Sequence, residues 1–300
     1  MGSNVNRYPL ETCFADMISK RQKDLWSPQV CNIHGPKECE HELLTRTDDL
    51  FRWMCCPKWQ RKLSNKLNAK EFASKCGVRT AELYWFGDSP QKIPFAHLPD
   101  SFTVKLSNGS GSKQVIPVSR GRDLIRGCPI SKMEIRSLLT QMLKDIDDDL
   151  NLILVEELLE ERAGKLPHDY KFFCFYGKVQ VLYEYDRTVN THSWYDKYWG
   201  PIANPMHIAR PRGQILPKPP NLQSLIEAAE SLARAYSFPF VRIDLYNIRG
   251  VPFFGEFTHT PFGNELEDFT PFANLILGLL WQNRSFDFLE ICHNLTESSL

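Results

Sequence analysis

The chain has 300 residues, and its 36 lysines and arginines are balanced by 36 aspartates and glutamates. A formal net charge of zero gives no reason to expect nucleic acid or an anionic membrane surface as the main partner. The nine cysteines, an odd number, favour reduced thiols in a cytoplasmic protein over a disulfide framework. No apolar run has the length of a signal peptide or a membrane span, so we expect a cytoplasmic protein.

The first part of the chain, residues 1–64, is polar and lacks clean periodicity, which predicts short helices and irregular segments. Cys31, His34, Cys39 and His41 lie close together in sequence and are residue types that bind zinc. Their spacing matches no common zinc finger, so unliganded loop residues are the favoured interpretation.

The pattern sharpens after Asn65. Ala69 to Cys76 has a helical composition and Gly77 is a natural helix stop, after which Val78 to Phe86 reads as a strand. Further strands are predicted at 102–106, 115–118, 152–155, 170–176, 179–185, 241–245 and 251–254. Helices are predicted at 131–147, where Ser131 and Glu134 form a capping box, and at 222–236 and 269–281. Alternation of helices with antiparallel hairpins predicts the α+β class.

A lysine followed by small residues lies at the turn of the first hairpin. Lys105 ends a predicted strand, and Asn108, Gly109, Ser110, Gly111 and Ser112 follow it. Glycines allow backbone N–H groups to approach phosphate oxygens, and the ammonium supplies charge. An ordinary flexible hairpin turn is the alternative, and on this loop alone it is the favoured one.

Two carboxylates lie near the ends of two strands that a short turn joins. Asp244 and Glu256 can project from one sheet face, and paired carboxylates are the usual ligands of a Mg2+ ion that also binds phosphates. The alternative is a structural ion pair with Arg242, with the hydroxyl of Thr258 as a further partner.

Glu156, Glu157 and Leu158 follow a buried strand and are candidates for a hinge that presents backbone groups to adenine. Asp169, further along, is a candidate for charge-assisted hydrogen bonds to ribose hydroxyls. Thr191 to Arg212 reads as a long irregular segment, either a substrate wall or simple surface packing.

Taken in order, these pieces resemble the ATP-grasp superfamily. The segments Phe102 to Gly111, Asp169 to Lys178 and Gly255 to Thr258 are similar to the TupA-like ATP-grasp family, which is associated with cell-surface polysaccharide and teichuronopeptide synthesis. The resemblance runs from about Asn65 to Pro271. It implies two α+β lobes that clasp a nucleotide, with a reduced N-terminal lobe. The implied parts are 1–64, an extension; 65–101, a linker element; 102–160, a lid subdomain; and 161–300, a catalytic subdomain.

The resemblance also assigns roles residue by residue, with ATP and Mg2+ as cofactors. Lys66 and Lys105 correspond to the nucleotide lysines, residues 108–112 to the lid loop, 156–158 to the adenine hinge and Asp169 to the ribose contact. Lys171, Arg187 and Arg242 are the catalytic candidates that neutralise the transferred phosphate. Asp244, Glu256 and Thr258 are the metal ligands, although relatives usually read Glu-x-Asn where this chain has Glu-Phe-Thr.

The implied activity is ligation of a carboxylate to an amine through an acylphosphate. The carboxylate and amine partners are small molecules, peptides or saccharides. One alternative is a kinase that phosphorylates a hydroxyl, with His192 or His259 as the base. Another is a module that binds ATP without turnover.

Overall fold

A computed structural model of the chain describes residues 13–26, 42–109, 114–145, 151–206, 213–261 and 269–297. The α-helices in this part of the chain are α1 (Phe14–Trp26), α2 (Leu50–Met54), α3 (Lys66–Lys75), α4 (Lys132–Asp145), α5 (Leu222–Tyr236), α6 (Pro271–Gln282) and α7 (Phe288–Glu297). None of the helices in the described segments is long and apolar enough to cross a bilayer.

The strands are β1 (Arg79–Thr80), β2 (Leu83–Gly87), β3 (Ser101–Leu106), β4 (Val115–Ser119), β5 (Arg122–Asp123), β6 (Cys128–Pro129), β7 (Ile153–Glu157), β8 (Asp169–Phe175), β9 (Lys178–Asp186), β10 (Thr191–Asp196), β11 (Phe240–Ile248) and β12 (Val251–Thr258). They form two six-stranded sheets, with the orders β1-β12-β11-β8-β9-β10 and β2-β7-β3-β4-β5-β6. The backbone contacts divide the chain into two compact units. Unit 1 comprises Met1–Pro36, Asp169–Leu245 and Phe257–Leu300, and unit 2 comprises Lys37–His168 and Tyr246–Glu256.

The sheet with the order β2-β7-β3-β4-β5-β6 lies in unit 2, and it has one apolar face and one face with charged residues. Val104 and Leu106 of β3 and Val155 of β7 alternate toward a core that includes Ile135 and Leu139 of α4. Because successive side chains point to opposite faces, Lys105 lies on the other face of β3. The register pairs Thr103 with Glu156 and Lys105 with Leu154, so Lys105 and Glu156 are diagonal neighbours on that face.

The core of unit 1 is aromatic. Phe173 of β8, Phe240 of β11 and Trp281 of α6 surround Phe14 of α1, which is fully buried. The helix α5 packs against β8 and β9. Tyr176 and Gly177 join β8 to β9, and both have positive φ, which is the conformation that a two-residue hairpin turn requires.

The sequence located most of these elements. The helix of α5 has the predicted bounds, and the hairpins β3–β4 and β8–β9 pair as predicted. The capping box of α4 is confirmed, since Ser131 N donates to Glu134 Oε2 (2.7 Å) and Glu134 N donates to Ser131 Oγ (3.2 Å).

Two predictions were wrong. The strand expected at Val78 to Phe86 is two strands in different sheets, β1 and β2, because the chain leaves one sheet at residues 81–82 and enters the other. The segment expected to be irregular from Thr191 begins as β10, which pairs with β9 over six residues and buries His192, Ser193, Trp194 and Tyr195. Residues 207–212, with Arg210 and Arg212, lie outside the described residues, as does the cluster of Cys31, His34, Cys39 and His41.

Candidate functional site

Two lysines of α3 lie one turn apart on the same side of the helix. The side chain of Asn65 caps α3 by accepting a hydrogen bond from Leu67 N at 2.9 Å. Lys66 begins the helix, its backbone N–H donates to Ser107 O at 2.8 Å, and its ammonium donates to Gly109 O. Residues four apart on a helix are neighbours, so Lys70 lies beside Lys66 on α3.

The start of the loop after β3 is fixed by one amide side chain. Asn151 Oδ1 accepts hydrogen bonds from Ser107 Oγ and Asn108 N, both at 3.0 Å. Ser107 Oγ in turn accepts from Leu152 N at 2.9 Å. The loop is therefore anchored to the residues before β7 where it leaves the sheet. Ser110, Gly111 and Ser112 lie outside the described residues.

A buried carboxylate connects the lysine of β3 to the lysine of α3. Glu156, 5% exposed, contacts Lys105 Nζ through Oε1 at 2.5 Å and the ammonium of Lys70 through Oε2. Lys70 Nζ also donates to Ala81 O at 2.6 Å. The two ammonium groups lower the pKa of Glu156 in spite of its burial, which by itself would raise it. We call Lys66, Lys70, Lys105 and Glu156 the lysine cluster.

Lys66 has a lowered pKa within the lysine cluster. Burial and the neighbouring Lys105 lower its pKa to about 8, against the opposing effect of Glu256 and Glu156. Glu256, on β12, therefore lies within electrostatic range of Lys66 inside unit 2. Three positive side chains lie near two carboxylates here, Glu156 and Glu256, and the remaining positive charge suits an anion.

Unit 1 contains a second buried cluster of charges, on β8 and β11. Arg242 donates to Asp244 through Nε at 2.7 Å and Nη2 at 2.8 Å, and Nη2 also donates to Thr258 Oγ1 at 2.8 Å. The ammonium of Lys171 donates to Asp244 Oδ2. Arg242 and Lys171 lower the pKa of Asp244 to about 2 in spite of its burial, so this side chain is ionised at neutral pH.

Asp169 joins the same cluster from the first position of β8. Its Oδ2 lies 2.6 Å from Arg187 Nη2 and 3.4 Å from Lys171 Nζ, and the residue is 1% exposed. After burial, which opposes the change, Asp169 and then Asp244 raise the pKa of Lys171, which therefore keeps its proton. We call Asp169, Lys171, Arg187, Arg242 and Asp244 the β8–β11 cluster.

The donor atoms of this cluster are suited to a hard cation. A carboxylate has about four acceptor positions, and hydrogen bonds from Arg242 and Lys171 use three of those on Asp244. The hydroxyl oxygen of Thr258 accepts from Arg242. Within the described segments no three His, Cys, Asp or Glu side chains form a group that could hold a metal by themselves. A divalent ion would therefore depend on oxygens from a second source, such as phosphates.

His259, a candidate base, is 4% exposed and is held by a tyrosine. Its Nδ1 lies 2.6 Å from Tyr236 Oη, and Tyr236 Oη accepts from Arg21 Nη2 at 3.2 Å. Burial raises the pKa of Tyr236 to about 12, and burial together with Arg21 lowers that of His259 to about 3. Both side chains are therefore neutral at pH 7, and the tautomer of the imidazole decides which of them donates in this hydrogen bond. The lowered pKa makes His259 a weak base.

The structure thus brings together Lys66, Lys105 and Glu156 in one unit, and Asp169, Lys171, Arg187, Arg242, Asp244 and Thr258 in the other. Leu158 is buried, and Glu157 Oε2 accepts from Glu82 N at 3.1 Å. Sequence reasoning missed Lys70. The available signal was that Lys70 belongs to the helix predicted at Ala69 to Cys76 and follows Lys66 by four residues.

Lysines on a helix and a hairpin of one unit, with carboxylates on late strands, are the pattern of the ATP-grasp class. The family described as TupA-like ATPgrasp matches residues 56–279, about three quarters of the chain. The chain therefore belongs to the TupA-like ATP-grasp family and has the ATP-grasp fold. No curated protein matches it significantly in sequence.

Three solved structures illustrate what the chain is similar to. D-alanine–D-alanine ligase from Bacillus anthracis is 15% identical with a TM-score of 0.49, over 78% of this chain and 72% of that one. VanG D-Ala:D-Ser ligase from Enterococcus faecalis is 15% identical with a TM-score of 0.47, over 81% and 63%. L-amino acid ligase from Bacillus licheniformis is 13% identical with a TM-score of 0.43, over 72% and 46%. The fold assignment rests on the family match, since all three scores are below 0.5.

Proposed function

We propose that this protein is an ATP-dependent ligase that joins a carboxylate to an amine through an acylphosphate. The observation that supports the proposal most strongly is the lysine cluster, in which side chains from α3, β3 and β7 meet. These segments are far apart in sequence, and they bring three lysines together around Glu156 and near Glu256. Membership of the ATP-grasp family supports a nucleoside triphosphate as the matching polyanion.

In this proposal Lys66 and Lys105 bind the phosphates of ATP, and the backbone of residues 108–112 covers them. The ammonium of Lys66 donates to Gly109 O, so this lysine is linked to the start of the loop. Residues 156–158 contact adenine. Positioning of this kind converts the attack on the γ-phosphate into an effectively unimolecular step.

Lys171, Arg187 and Arg242 stabilise the charge that develops during transfer. An oxygen of the substrate carboxylate attacks the γ-phosphorus, the bond to the bridging oxygen breaks, and ADP leaves with that electron pair. The nitrogen of the amine then attacks the carbonyl carbon of the acylphosphate, phosphate leaves, and the amine loses a proton to solvent. Fixed positive charges around the transferred group are the main protein contribution to such a reaction.

Asp244, Glu256 and Thr258 would hold Mg2+, which supplies charge neutralisation at the phosphates when it is bound. For Asp244 and Thr258 the proposal is supported by the oxygen chemistry of the two side chains. Arg242 orients both groups, because its Nη2 donates to each of them.

The state of His259 argues against one of the two candidate bases of a kinase, the other being His192. Transfer to a hydroxyl needs a base near the γ-phosphate, and the lowered pKa of His259 makes it a poor base for that role at neutral pH. A carboxylate nucleophile needs no base, because it is already ionised at neutral pH. Sugar acids, amino acids and peptides are all substrates of the proposed type.

The test is a phosphate-release screen with panels of acids and amines, ATP and Mg2+. A ligase releases phosphate only when both an acid and an amine are present. The variant Asp244→Asn is expected to lower the rate about a hundredfold or more, because the amide leaves Arg242 and Lys171 uncompensated and removes the anionic oxygen. Equal rates for Asp244→Asn and wild type would contradict the assignment. Binding of ATP without release for any pair would indicate a module without turnover.

A further inference from the structure

Lys70 is a buried lysine that no part of the proposed reaction uses. It is 7% exposed, and its ammonium has two acceptors, the carboxylate of Glu156 and the backbone oxygen of Ala81. Lysine is almost never buried to this extent unless it is paired. Its position is therefore determined by Glu156, the residue that also contacts Lys105.

The charges of Lys70, Glu156 and Lys105 show what a second lysine adds beside the Glu156 carboxylate. Glu156 and Lys105 alone would form a neutral ion pair, and the ammonium of Lys105 would be committed to its carboxylate. Lys70 shares that carboxylate through the other oxygen, so the three side chains together keep one positive charge. A surplus charge on Lys105 is what a phosphate requires.

The geometry supports the same conclusion. Glu156 and Lys105 are diagonal neighbours on adjacent strands, whereas Lys70 comes from α3 and also holds the chain at Ala81, just after β1. Lys70 thus ties the helix that begins with Lys66 to the sheet that contains Lys105. Loss of its ammonium would change both the charge and the position of the two predicted phosphate ligands.

We propose that Lys70 is a positioning residue of the nucleotide site, which shares the Glu156 carboxylate and so keeps the Lys105 ammonium placed for a phosphate. This inference rests on the proposed function, because the phosphate is that of ATP. Lys70 itself need not contact the nucleotide.

The first measurement is ATP affinity by calorimetry for wild type, Lys70→Met, Lys70→Arg and the double variant Lys70→Met/Glu156→Gln. Lys70→Met is expected to bind ATP about tenfold more weakly or worse, since Glu156 then neutralises Lys105. The double variant is expected to recover much of that loss, because the carboxylate that captures Lys105 is gone. Lys75→Met, on the same helix but only partly buried and with its ammonium on Arg46 O, is the matched control and should bind as wild type.

The second measurement needs no nucleotide. Limited acetylation followed by mass spectrometry reports the reactivity of Lys105 in the ligand-free protein. Lys105 is expected to acetylate more slowly in Lys70→Met, because Glu156 then pairs with Lys105 alone and stabilises its protonated form. In the double variant, which lacks this carboxylate, acetylation of Lys105 is expected to be faster again. A purely structural Lys70 would give the opposite sign, since loosening exposes Lys105.

The two measurements separate the possible failures. The expected acetylation pattern in a protein that binds no ATP would overturn the proposed function, while the effect of Lys70 on the Lys105 ammonium would stand. Unchanged acetylation together with unchanged ATP affinity in Lys70→Met would overturn the role of Lys70. A double variant that binds ATP no better than Lys70→Met would also overturn it.

Discussion

The charge of Lys66 depends on pH near neutrality, and we therefore predict that ATP affinity depends on pH. Burial and Lys105 lower its pKa to about 8, so the side chain is protonated below that pH and neutral above it. A bound phosphate favours the protonated form. We therefore expect ATP affinity to fall about tenfold as the pH rises from about 7.5 to about 9.5, with uptake of a proton on binding. Calorimetry in buffers of different ionisation enthalpy measures both effects.

Lys66→Arg is the control for this pH dependence. Arginine keeps its charge throughout the range, so the affinity of this variant should be nearly independent of pH. A wild-type affinity that is equally flat would show that Lys66 does not contact the phosphates in its ionised form.

At the residue scale, the sequence identified the members of both clusters that belong to recognisable short segments. Lys105 precedes a glycine loop, and Asp244 follows Arg242 at the strand spacing of two. Lys70 could not be identified in this way. A lysine in the middle of a helix is usually exposed to solvent. The carboxylate that pairs with Lys70 belongs to Glu156, 86 positions away in the sequence.

Among the elements, α4 owes its first turn to the capping box. Ser131→Ala removes the acceptor for Glu134 N, so we expect a loss of about 1 kcal/mol in the free energy of unfolding, measured by urea titration. Ser137→Ala, in the exposed middle of the same helix, should change stability by no more than a few tenths of a kcal/mol. Equal losses in the two variants would argue against the cap.

The sequence predicted elements well where local signals were strong. Period-3.6 apolar residues defined α5, and the cap residues defined α4. It missed β10 because Thr191 to Asp196 contains His, Ser, Trp and Tyr rather than alternating polar and apolar residues. The strand β10 forms because it pairs with β9 and because four of the β10 side chains are buried. Both are tertiary interactions that the local sequence does not show.

At the scale of the whole molecule, the helix α1 lies outside the matched family region yet supplies the centre of a core. Phe14 contacts Phe240 and Phe269 edge to face, with centroids 5.1 and 5.3 Å away. Phe14→Ala is expected to lower the free energy of unfolding by about 3–5 kcal/mol, because the cavity removes these contacts. Differential scanning calorimetry measures the effect.

Phe51→Ala is the matched control, since this phenylalanine is 81% exposed and its loss should change stability by less than about 0.5 kcal/mol. If Phe14→Ala were as stable as Phe51→Ala, α1 would not contribute to the folded core of unit 1.

The burial of Phe14 bears on how the protein can be shortened. Trimming to residues 56–279, the region that defines the family, would delete Phe14, Ile18 and Ile291 from one packed cluster and cut α6 before Trp281. The fragment would present the uncovered aromatic faces of Phe173, Phe240 and Phe269 to water, and contiguous apolar surface of that kind drives aggregation. Expression trials should therefore keep α1 and α7, and insoluble material from a family-length fragment would reflect missing core residues rather than an unstable fold.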